Sequence, residues 1–96
     1  MTADEILEMV KFNLMIMGTA WDAYLVNLME AAKQLISREG ITLDMSSVED
    51  CNLVIMYTAY LYRKRTDTDA QGYRVAMPRM LRYALNNRLF SEKGAV

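Results

Sequence analysis

From Leu53 to Tyr62 the chain reads LVIMYTAYLY, a run in which Thr58 is the one residue neither apolar nor aromatic. It stops abruptly at Arg63, Lys64 and Arg65. It is about half the length of a membrane span. The run continues a helical pattern through Val48, Cys51, Val54 or Ile55, Ala59 and Tyr62, and Ser46 with Glu49 has capping-box spacing ahead of it. A helix that is apolar all round must be buried on several sides. Two arrangements satisfy that demand: the segment is the central helix of the domain, or it lays one face on the core and another on a partner subunit.

The rest of the chain is also helical in pattern. Thr2 and Glu5 have capping-box spacing, and Ile6, Met9, Val10 and Asn13/Leu14 follow as the apolar positions of a first helix that Gly18 ends. Thr19 with Asp22 offers a second N-cap. A long helix over about 20–38 then carries Trp21, Leu25, Leu28, Ala32 and Leu35 on one face, widened by Tyr24, Ala31 and Ile36, with Gly40 as its stop. Residues 66–76 (TDTDAQGYRVA) have the weakest periodicity and read as a long loop. Pro78 then opens a last helix with Met80, Leu81, Ala84, Leu85 and Leu89 as its apolar stripe, ending near residue 89 before a frayed tail from Ser91 to Val96. The expected fold is all-α: a single domain over residues 1–96, a small bundle of about four helices with a long loop before the C-terminal one.

Composition removes most chemistry. The 96 residues include no His and a single Cys, Cys51. That leaves no zinc, haem or iron–sulfur ligand set and no Ser-His-Asp or Cys-His arrangement. One Cys gives no internal disulfide, which suits a reducing compartment, and the acidic start (Asp4, Glu5, Glu8) is the reverse of a secretion signal. Cys51 falls on an apolar helix face, where an inert buried thiol is expected. Helix capping accounts for Asp4, Glu5 and Glu8 and for Asp44, Glu49 and Asp50. Asp67 and Asp69 resemble half of a calcium loop, but no bidentate Glu follows at the right distance. No catalytic, cofactor or metal residue is assigned, and the chain is not expected to be an enzyme.

Two features point outward. Nine Met are present, and the run Leu14–Met17 is hard to bury in so small a domain, so it serves either the core or a partner contact. The second feature is charge polarity. Residues 1–50 hold nine acids and three bases, net −6, while residues 51–96 hold three acids and eight bases, net +5. Three readings are open. The halves neutralise each other inside the monomer; or the acidic face of one copy meets the basic face of the next, a head-to-tail contact that closes into a ring; or Arg63, Lys64, Arg65, Arg74, Arg79, Arg82 and Arg88 contact nucleic acid. Arg79, Arg82 and Asn86 share roughly one helical face and could imitate a recognition helix, although a helix-turn-helix requires a far tighter turn before it.

Several segments together resemble a known family. They are the stretch MEAAKQLI (29–36), the connector GITLD (40–44), the Tyr-rich MYTAYLYRKR (56–65) and the ending MPRMLRYALNNRL (77–89). In these the chain resembles the small head–tail connector (head-completion or adaptor) proteins of tailed bacteriophages, especially those of prophages in Gram-positive hosts. The resemblance implies a small all-α subunit in a ring of about a dozen copies beneath the portal, with phage DNA passing through without specific binding. It further implies a portal partner, a tail-side completion partner, no membrane, and a place at the head–tail interface of the virion after assembly in the host cytoplasm. On that resemblance Tyr73, Arg74 and Val75 would touch a neighbour, Arg63, Lys64 and Arg65 would meet an acidic face or line the channel, and the tail from Phe90 would order on the portal. The alternatives are a small DNA-binding regulator using the basic C-terminal helix, and a bundle that binds a small ligand among Met and aromatic side chains.

Overall fold

The computed structural model of the chain describes residues 1–64 and 76–94, and within them it holds four helices: α1 (Ala3–Leu14), α2 (Asp22–Arg38), α3 (Val48–Lys64) and α4 (Arg79–Gly94). The all-α bundle expected from the sequence is the fold observed. α1, α2 and α4 all pack against α3, so the apolar run is the central helix. Its Leu53, Val54, Ile55, Tyr57, Ala59 and Tyr60 are buried. Thr58, buried among them, satisfies its hydroxyl by donating to the Val54 carbonyl at 2.7 Å. Each large aliphatic side chain so buried contributes on the order of 1.5–3 kcal/mol.

α1 begins as its sequence dictates. The Thr2 hydroxyl accepts from the Glu5 N–H at 3.2 Å, and the Glu5 carboxylate accepts from the Thr2 N–H at 2.8 Å. The helix ends earlier than Gly18, at Leu14. Met15 adopts a left-handed conformation (φ 58°). Its N–H donates to the Phe12 carbonyl, and the Ile16 N–H reaches back to that of Lys11. This is a Schellman stop with methionine where glycine is usual.

α2 starts without the expected Thr19 cap. Trp21 occupies the cap position with no side-chain hydrogen bond to the helix. Thr19 contributes only its carbonyl, which accepts from the Asp22 N–H at 3.1 Å. The Asp22 carboxylate instead lies 2.9 Å from the Lys11 ammonium and ties α2 to α1. The buried face is Leu25, Met29, Ala32 and Ile36, rotated from the expected stripe, while Leu28 and Leu35 pack at its edge. Gly40 ends the helix at φ 100°, and a Cβ there would sit 3.3 Å from Leu89 Cδ1.

The 40–47 connector is held by side chains. Ser47, rather than Ser46, caps α3, its hydroxyl accepting from the Asp50 N–H at 3.4 Å. Ser46 is engaged elsewhere, since both its N–H and its hydroxyl donate to Asp44. The expected Ser46–Glu49 box therefore does not form: the cap moves to Ser47, whose own N–H donates to the Asp44 carbonyl. Asp50 is 1% exposed. Its carboxylate accepts from Arg88 Nε at 2.7 Å and from the Asp44 N–H at 2.7 Å. Arg88 also donates to the Thr42 carbonyl at 2.7 Å, and Glu92 accepts from the Thr42 N–H at 2.6 Å. These contacts carry α4 through to Gly94, past the end expected near residue 89, so the expected frayed tail is helical up to that point. Leu81 and Leu85 are buried on α3, whereas Met80, placed in the same stripe by its spacing, is exposed.

Candidate interaction surface

The molecule measures 43 × 33 × 18 Å, no more than about two packed helices deep in its thinnest direction. A slab so thin leaves apolar residues outside, and most of them fall in two places. The first runs along α1 and over the turn to α2. Phe12, Met15 and Met17 are 82%, 89% and 93% exposed. Phe12, Met15 and Met17 line one hollow with Lys11 and Ile16. Met9, Phe12 and Asn13 line the next with Asn52, Ile55 and Met56 of α3. Asn13 and Met56 also border a third, shared with Arg63, Pro78 and Met80. The Leu14–Met17 run thus divides: Leu14 and Ile16 pack on the core, while Met15 and Met17 face solvent. Met15 does so from a conformation that costs a non-glycine residue about 1–2 kcal/mol.

The second surface is the outer side of α4. Met80, Tyr83 and Phe90 recur at helical spacing and are exposed, opposite the buried Leu81 and Leu85. Arg79 and Lys93 flank them. A shallow hollow beside Phe90 is bordered by Asn86, Leu89 and Lys93. The signal for this second stripe was present in the sequence as Met80, Tyr83, Asn87 and Phe90, interleaved with the core stripe. Phe12 was likewise legible as the residue opposite Ile6 and Val10.

The charge polarity is partly neutralised inside the monomer. Arg82 pairs with Glu39 and Arg88 with Asp50, joining bases of the second half to acids of the first, and Arg88 also meets Glu92 of its own helix. Lys11, ion-paired with Asp22, is held above the ordinary lysine range by that partner. Arg63 donates to the Asn13 side chain at 3.2 Å rather than to a carboxylate. Lys64 lies over the Tyr60 ring, 5.6 Å from its centre. Arg79 and Lys93, and Asp4 on the acidic side, form no ion pair among the described residues.

Of the residues singled out in the sequence, Arg63 and Lys64 close α3, and Phe90 is exposed near the far end of α4. Arg63 shares a hollow with the start of α4, so these positions do not converge on one spot. Arg65, Tyr73, Arg74 and Val75 lie outside the described residues. Cys51 is buried, its thiol donating to the Met45 carbonyl at 3.1 Å. Among the described residues no helix is long and apolar enough to cross a membrane. Comparison with protein-family models, curated proteins and solved structures finds no match to this chain.

Proposed function

We propose that the chain is a structural virion protein: a head–tail connector subunit that forms a ring with its own copies beneath the portal of a tailed bacteriophage. The ring seals the DNA-filled head and provides the channel to which the tail attaches. The observation that carries this reading is the presence of two exposed apolar surfaces on different helices, one at the α1–α2 turn and one on outer α4. A head-to-tail contact needs two different patches on each copy, and repeated rotation closes it into a ring. Exposed methionines suit a surface that must adapt to a partner. The likeness of residues 56–65 and 77–89 to connector proteins supplies the virion setting, with the portal on one side and a tail-side completion protein on the other.

The test is to mix the chain with portal particles and image them. A connector subunit adds a ring of density to the portal, and portals left bare at saturating chain refute the reading. A DNA-binding regulator is disfavoured by the side chains of α4. Arg82 and Arg88 are engaged by Glu39 and Asp50, and the outer face presents Met80, Tyr83 and Phe90. Tight, site-selective retardation of DNA across several salt concentrations would favour the regulator instead.

A further inference from the structure

We infer that the outer face of α4 docks on the outer face of α1 of a second copy of this chain. The inference deepens the connector reading, on which it rests, by naming the two surfaces that meet. The α1 face is an apolar hollow between Met1 and Met9, rimmed by Asp4, Glu5 and Glu8, with Phe12 projecting one turn further on. The α4 face is Met80, Tyr83 and Phe90, rimmed by Arg79 and Lys93. Apolar centres with rims of opposite sign are the complementarity that fixes register and rejects wrong pairings.

The dimensions agree. Asp4 to Phe12 covers about 12 Å of helix and Met80 to Phe90 about 15 Å, so one face can lie along the other. One molecule cannot satisfy both faces by itself. α1 and α4 each pack on α3 rather than along each other, and Asn13 and Met80 border one hollow. Each copy therefore offers one donor and one acceptor face, and the contact is heterologous. The charges available to it are those left over by the fold. Among the described residues Asp4, Arg79 and Lys93 form no ion pair, and Glu8 has only a 3.8 Å contact with Lys11.

The test uses two charge-reversed full-length variants, Asp4→Lys/Glu8→Lys and Arg79→Glu/Lys93→Glu, followed by sedimentation from micromolar to millimolar protein in low salt. All four sites are exposed, so both variants stay folded with only a small fall in melting temperature from the altered helix-end charges, and thermal melts check this first. The wild-type chain gains mass with concentration. Each variant alone sets like charges against each other and loses association by on the order of 100-fold. Their equimolar mixture recovers it, because each face of one variant is complementary to the opposite face of the other. A wild-type chain that stays monomeric at every concentration, a variant that assembles alone, or a mixture that does not recover overturns the inference. A parallel arm with portal particles separates the two claims. Variants that still decorate the portal refute these faces and leave the connector reading standing. A wild-type chain that self-associates through these faces but ignores the portal does the opposite.

Discussion

The 40–47 connector and the α1–α2 turn are both short links between helices, yet they handle their chemistry in opposite ways. In the first, Asp44, Ser46, Asp50, Arg88 and Glu92 bond to one another or to the backbone, Gly40 meets Leu89 closely, and α4 closes over the whole. In the second, Met15 holds a left-handed conformation without being glycine, and Phe12, Met15 and Met17 face solvent. One link is completed by its own chain. The other retains strain and apolar surface, features that persist where function requires them. On the proposed function, stability and interaction occupy different links of this fold, and changes at one should leave the other's role intact.

The largest effect is expected at the completed link. Asp50→Ala leaves Arg88 without its buried partner and costs about 3–5 kcal/mol, read as a fall in the urea midpoint. A loss below 1 kcal/mol would show that the clamp does not set stability there. Gly40→Ala comes next, at about 1–2 kcal/mol, since alanine strains at φ 100° and crowds Leu89. At the other link the sign reverses. Met15→Gly relieves the left-handed strain and raises stability by up to about 1 kcal/mol, while it weakens assembly. Phe12→Ser with Met17→Ser changes stability by roughly 0.5 kcal/mol or less and is read in assembly alone. Any of these turn variants that unfolds the monomer would erase the contrast.

A pH titration sharpens the same contrast. The Thr42 backbone N–H holds the Glu92 carboxyl below its ordinary value of 4.5. A carboxylate lowered in the fold contributes stability that is fully present above its unfolded value and is lost as the pH falls through its folded one. Thermal melts should therefore weaken below about pH 4.5 in the wild type, and Glu92→Gln should flatten that acid limb. An unchanged limb would show that Glu92 does not hold α4 to the connector.

Much of this was legible in the residues. The run from Leu53 to Tyr62 demanded a helix buried on several sides, within its own domain or partly against a partner, and the Thr2–Glu5 box forms as written. What was hidden depended on contacts distant in sequence. The length of α4 is set by Arg88 and Glu92 meeting Asp50 and Thr42. The cap of α3 moved to Ser47 because Asp44 holds Ser46. The face of α2 turned to bury Met29 because α3 lies there, and spacing alone allowed either rotation. The two apolar surfaces were half legible. Leu14–Met17 stood out as a run hard to bury in so small a domain, whereas Met80, Tyr83 and Phe90 were masked by the core stripe interleaved with them.

The most direct measurement is the number of copies bound per portal particle, determined by particle imaging for the wild-type chain and for a variant carrying Phe12→Ser, Met17→Ser, Tyr83→Ser and Phe90→Ser. A connector ring held through these surfaces gives full decoration with the wild type and bare portals with the variant, while both chains melt alike. Equal decoration by the two, or none by either, would contradict it.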